Sequence, residues 1–173
     1  MVSRAQSQAE IAIAEEIKKQ FLAKNISLNP LCKGCDFSTL KDGYYLGYQV
    51  YGDVVITKQH LEEYIEYLTK KYSSFNTKEQ IEMRNKNKTR INHKTPKHLI
   101  DISIFKKEHD NIIRVNIEVN REYSYHDECN FIDYFKEHYE HAIIIWQHNF
   151  LREKREYYRD GIMGEIFEAF HIT

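Results

Sequence analysis

Two runs in the middle of the chain alternate between apolar and polar residues. Over 99–105, Ile100, Ile102 and Ile104 fall on one side, with Asp101 and Ser103 on the other. Over 112–120, Ile113, Val115, Ile117 and Val119 oppose Arg114, Asn116, Glu118 and Asn120. A period of two belongs to a β-strand with one buried face, and the polar stretch 106–111 between the runs predicts a hairpin. Upstream the period changes. Ile13, Ala14, Ile17 and Phe21 share one face at 100° per residue, so 5–24 is predicted as a helix, with Ser3 and Gln6 as a capping box. Glu10 falls on that apolar stripe.

Residues 25–43 contain Pro30, Gly34 and Gly43 and are expected to form a loop. Two Tyr- and Val-rich stretches, 44–51 and 54–57, predict a hairpin turned at Gly52-Asp53. Leu61, Tyr64, Ile65, Leu68 and Tyr72 recur at helical spacing over 58–72. A basic segment of weak periodicity follows, ending near Pro96. Beyond the central hairpin, Phe131, Ile132, Phe135 and Tyr139 predict a helix over 128–140. The unbroken apolar run 142–146 predicts a central strand covered on both faces, reached by a crossover and so parallel to its neighbour. Two short helices, 151–159 and 162–170, are expected to break at Asp160-Gly161. The sum is an α/β fold, a mixed central sheet flanked by helices, in a single domain over 1–173.

Charge narrows the possible partners. The net charge is −1, so nucleic acid would have to be met by a local patch rather than by a polycation. Arg84, Lys86, Lys88, Arg90, Lys94 and Lys97 form such a patch within a stretch that holds no acid; a solvated loop is the competing reading. The apolar run 142–146 is far too short to span a bilayer, and the start of the chain lacks a signal-peptide core, so a cytoplasmic location is expected. Three cysteines, an odd number, suit a reducing compartment. Cys32 and Cys35, with His126 and Cys129, offer zinc-ligand types, but the two pairs are far apart in sequence, and incidental cysteines are the simpler reading. His93 or His98 as the base of a histidine-metal nuclease lacks a companion asparagine and a second histidine at useful spacing, and His148 reads as a strand-end residue.

The hairpin carries the chemistry. If its turn centres between His109 and Asp110, Asp101 lies opposite Glu118; one residue later, Asp101 lies opposite Asn120 and diagonal to Glu118. Either way the two carboxylates share a face, because a slip by one residue would put Asp101 among the valines and isoleucines. Acids on the open face of a hairpin are ordinarily just solvated. Two that converge repel unless a cation lies between them, and Mg²⁺ prefers such oxygen ligands. A metal so held activates water and stabilises a phosphate leaving group.

The order of these parts resembles the PD-(D/E)XK nuclease superfamily, which includes most type II restriction endonucleases: a helix, strands, Ile100-Asp101 on one strand, Glu118-Val119-Asn120 on the next, a helix and an apolar strand. The resemblance covers 5–24 and 97–147 and implies a restriction-endonuclease-like core. It implies that Asp101 and Glu118 bind Mg²⁺ and that Glu10 is the additional acid such proteins often carry on the first helix; the competing reading leaves Glu10 in solvent at the helix start. Ile100 stands where the motif has proline, and Asn120 stands where it has the lysine that activates water. Asn120 can hydrogen-bond a water but carries no charge, and Lys97, Arg121 and Lys106 are the other cations in reach along the chain. The implied activity is Mg²⁺-dependent cutting of double-stranded DNA by a homodimer acting at a short symmetric site, with the basic residues 84–97 on the phosphate backbone. A Holliday-junction or repair nuclease of the same fold, and a DNA-binding module that has lost catalysis, are the alternatives.

Overall fold

Ile102, Ile104, Val115 and Ile117, the apolar side of the two alternating runs, are all fully buried, and their covering sets the plan of the molecule. The computed structural model describes residues 4–31, 36–71, 73, 77–89, 94, 96–120, 134, 136–152 and 156–173. It places the four residues on β3 (Lys97–Glu108) and β4 (Asn111–Asn120), joined as the expected hairpin. Pairing begins at Glu108↔Asn111, so the turn is His109 and Asp110, and His109 takes a left-handed φ of 56°. This is the register that sets Asp101 level with Glu118.

On the far side of β3 lies β2 (Gly43–Val55), antiparallel, with the short β1 (Leu28–Pro30) parallel beyond it. Beside β4 runs β5 (Ala142–Trp146), parallel as expected. The result is a five-stranded mixed sheet in the order β1-β2-β3-β4-β5, an α/β architecture. Two clusters flank it. The first packs α1 (Arg4–Leu22), α4 (Gln147–Leu151) and α5 (Glu156–Ala169) on the sheet through Ile13, Ile17, Phe21, Phe150, Ile166 and Phe170. The second sets α2 (Lys58–Lys71) and α3 (Lys78–Thr89) around Ile56, Ile100 and Tyr139. Each fully buried isoleucine contributes roughly 1.5–3 kcal/mol, so burial of these stripes rather than helix propensity holds the helices in place. Among the described residues no helix is long and apolar enough to cross a membrane.

Several expectations are corrected. Gly52-Asp53 is not a turn: β2 continues through it, with a bulge between Tyr51 and Val55. A Cβ at Gly52 would stand 3.2 Å from the Tyr139 ring and 3.5 Å from the His98 carbonyl, so glycine serves close approach here rather than chain reversal. The basic segment begins as a helix, α3, started by a reciprocal cap in which Thr77 N–H donates to Gln80 Oε1 (3.1 Å) and Gln80 N–H to Thr77 Oγ1 (3.2 Å). The stretch 142–146 lies at one end of the described sheet, not at its centre. No break occurs at Asp160-Gly161, which α5 carries through. The loop 25–43 contains β1 and a 3-10 turn at Phe37–Thr39. Ser3 and most of the helix expected over 128–140 lie outside the described residues; near the end of that stretch is a 3-10 turn, Lys136–His138.

The largest correction concerns the polar side of the hairpin, which is buried too. Ser103, Arg114, Asn116 and Asn120 are all nearly inaccessible. Arg114 donates from Nε to Asn116 Oδ1 (2.6 Å) and from Nη2 to Ser103 Oγ (3.1 Å), and stacks over the Phe105 ring. Burial lowers its pKa to about 10, so it stays charged at neutral pH. Next to the turn, Lys107 Nζ donates to the carbonyls of Phe37 (2.8 Å), Ser38 (3.1 Å) and Leu40 (2.6 Å). The 3-10 turn that supplies two of those carbonyls is capped by Asp36, whose bonds to Ser38 lower its pKa.

Candidate active site at a fork in the sheet

Pairing between β3 and β4 ends at Ile102↔Ile117, yet both strands go on. Beyond that level β3 stays paired with β2 at Ile100, Leu99 and Lys97, while β4 stays paired with β5 through Glu118, Val119 and Asn120. The sheet therefore forks where the register sets Asp101 level with Glu118. A strand that leaves its ladder has amide groups to satisfy. Asp101 answers one of them, its Oδ2 accepting the Val119 N–H at 2.9 Å. The carboxylate of one lip is thus anchored to the backbone of the other by a charge-assisted bond.

A second acid enters the fork from α1. Glu10 is 3% exposed, so it does not reach solvent from the helix start; the buried stripe of Ala9, Ile13 and Ala14 carries it inward. Between Glu10 and Asp101 lies Gln49. On β2, Tyr48 pairs with Ile102 and Val50 with Ile100, and between them Gln49 takes a φ of 52°, a region that residues other than glycine seldom occupy. Its Nε2 lies 3.3 Å from Asp101 Oδ1, 3.3 Å from Glu10 Oε1 and 3.3 Å from Glu10 Oε2. An amide has two hydrogens to give, here spread over three carboxylate oxygens at the long end of hydrogen-bonding distance.

On the β4 side, Glu118 is half-buried and Asn120 is 4% exposed, two residues apart and so on one face of the strand. The Asn120 Nδ2 makes no hydrogen bond among the described residues. Nor does the buried hydroxyl of Tyr139, whose pKa is raised by burial first and then by the charge of Glu118. Unanswered buried donors are rare and costly, which singles out these two positions.

The structure thus brings Glu10 and Asp101 together and sets Glu118 and Asn120 on the opposite lip. Among the described residues, no group of three or more His, Cys, Asp or Glu side chains is gathered closely enough to hold a metal by itself. The donors that do meet are all oxygens, with an amide that presents oxygen at its other end, and that set fits a hard divalent cation rather than zinc.

The basic residues are placed less closely. Lys97 opens β3, about 13 Å along the strand from Asp101. Lys94 is exposed, and the backbone of Arg84, Lys86 and Lys88 lies in the second half of α3. Arg90, Arg121, His93, Cys32, Cys35, His126 and Cys129 lie outside the described residues. Lys106 is at the closed end of the hairpin, over the Tyr44 ring and 3.6 Å from Glu108, away from the fork. His98 is 2% exposed, and burial lowers its pKa to about 3, which removes it as a base at neutral pH. His148 lies half-buried in α4.

Sequence reasoning missed Gln49. The only signal was a single amide in a strand otherwise aromatic, aliphatic or glycine from Tyr44 to Tyr51. No family model, no curated protein and no solved structure matches this chain.

Proposed function

We propose that this protein is a Mg²⁺-dependent endonuclease that hydrolyses phosphodiester bonds of double-stranded DNA. The observation that carries the reading is the fork itself, where a buried Glu10 and an anchored Asp101 converge level with Glu118. The element order, with acids on the first helix and on two successive strands of a mixed sheet, supports the resemblance to the PD-(D/E)XK nucleases. In this reading Asp101 and Glu118 hold the Mg²⁺ and Glu10 completes its acidic surroundings. The bound ion supplies polarisation of the phosphate and a more acidic water.

The remaining steps belong to the chain. Asn120, with an Nδ2 that has no acceptor among the described residues, orients the attacking water or a phosphate oxygen in place of the motif lysine. Burial around the fork excludes bulk water and strengthens each contact inside it. Lys97, Lys94 and the run Arg84, Lys86, Lys88 and Arg90 meet backbone phosphates, which makes affinity fall steeply with salt. A homodimer, presenting one such site to each strand, suits cutting at a symmetric sequence as type II restriction enzymes do. Asn120 also favours a second reading, a DNA-binding module that no longer cuts, because it replaces the one cation of the motif.

Purified protein incubated with phage DNA in Mg²⁺ or in EDTA separates the two. Discrete, Mg²⁺-dependent fragments are expected, and Asp101→Asn and Glu118→Gln should each slow cutting about a hundredfold or more without lowering the melting temperature much. DNA that is shifted but intact supports the binding module. Cutting by either variant at the wild-type rate removes the assignment.

A further inference from the structure

We propose that Gln49 is itself a ligand of the divalent cation and takes up that role by turning its amide over. The inference rests on the metal-dependent reading above and deepens it. The Gln49 Nε2 stands 3.3 Å from oxygens of both Asp101 and Glu10, the position from which a shared cation would have to draw the two acids together. A neutral NH₂ there does electrostatically what a cation would: it offers partial positive charge to both carboxylates, at hydrogen-bonding rather than coordination distance. Rotation about the last torsion of the side chain exchanges Nε2 for Oε1, and such terminal torsions are soft. Turned over, the same residue offers a hard oxygen, which supplies the third donor that the described acids do not assemble by themselves.

Two further observations point the same way. Gln49 holds a φ of 52° in the middle of a long strand, which directs its side chain to the fork where an ordinary strand residue would continue the pleat. Independently, on the opposite lip, the buried Asn120 Nδ2 has no acceptor among the described residues. An occupant bearing oxygens, such as a hydrated cation, answers that donor; an amide-bridged acid pair does not.

The test uses Mn²⁺ as the probe, titrated into the intact protein without DNA and followed by loss of the free-ion paramagnetic resonance signal, with thermal melts as the control for folding. Wild type should bind, and Asp101→Asn should not. Gln49→Met, equal in length but without donor or oxygen, should weaken Mn²⁺ binding about tenfold. Gln49→Glu should tighten it, and Gln49→Lys, which places a permanent cation in the fork, should abolish it while the protein still melts cooperatively. If all three Gln49 variants bind Mn²⁺ as wild type does while Asp101→Asn fails, Gln49 is only a structural bridge; the inference falls and the metal-dependent reading stands. If wild type binds no Mn²⁺, or Asp101→Asn binds it normally, that reading falls and takes the inference with it.

Discussion

The two ends of the β3–β4 hairpin bury charge in opposite ways. Next to the turn, the ammonium of Lys107 has three hydrogens and finds three carbonyls, those of Phe37, Ser38 and Leu40. At the fork, one amide serves three oxygens of two acids, and an asparagine nitrogen on the other lip finds nothing among the described residues. The first arrangement is complete and serves stability. The second leaves the buried Asn120 nitrogen without an acceptor among the described residues. Natural proteins leave such deficits mainly at sites whose missing partner arrives from outside.

The comparison is tested most strongly by removing Lys107. Lys107→Met strands three carbonyls that share a charge-assisted donor, and should lower the unfolding free energy by roughly 3 kcal/mol in a urea titration. A loss near zero would mean that the closed end is not the anchor described here. The next effect belongs to His98, on β3 just before the fork. Burial holds its folded pKa at about 3, below the ordinary histidine value of 6.5. The unfolded chain therefore takes up a proton that the folded one refuses. The stability this residue supports is complete above pH 6.5 and is lost as the pH falls from there toward 3, by up to about 1.4 kcal/mol per pH unit. His98→Leu should remove that slope when urea midpoints are compared with wild type across the window; an unchanged slope would show that the imidazole titrates freely. The smallest effect is expected at Asn120. Replacing an unanswered donor by an apolar group of similar size is nearly neutral, so Asn120→Leu should change stability by less than about 1 kcal/mol, while the proposed cutting of DNA should be lost. A cost as large as that of Lys107→Met would erase the difference between the two ends.

Much of this arrangement was legible in the chain, and the parts that were not have physical reasons. The alternation over 99–105 and 112–120 specified the hairpin and put Asp101 and Glu118 on one face, because burial of the other face forbids a one-residue slip. The turn centre stayed open between two positions, and the pairing Glu108↔Asn111 decides for the one that sets Asp101 level with Glu118. Glu10 stood out on an apolar stripe, and the structure brings it to Asp101. Gly52-Asp53 misled because a glycine that makes room for the Tyr139 ring looks the same in sequence as one that turns a chain. The helix α3 was hidden because its many charged and polar residues leave no apolar stripe in the sequence; the cap formed by Thr77 and Gln80 was the available sign. Burial of Arg114 and Asn116 was invisible because their cover comes from distant segments, including the His141 carbonyl, which accepts from Asn116 Nδ2. Gln49 depends on a backbone angle that no local preference of glutamine announces.

One helix joins the site to the opposite end of the molecule. Glu10 rides near the start of α1, while Phe21, about 16 Å further along the axis, is clamped by the rings of Tyr44, Phe167 and Phe170. The helix is therefore a lever pivoting on aromatic stacking, and a tilt of about four degrees at the pivot swings the glutamate by about 1 Å. A displacement of that size is enough to cost about a hundredfold in a catalytic constellation. In the proposed reading, anything that loosens the phenylalanine pivot misplaces Glu10 at the other end of the helix.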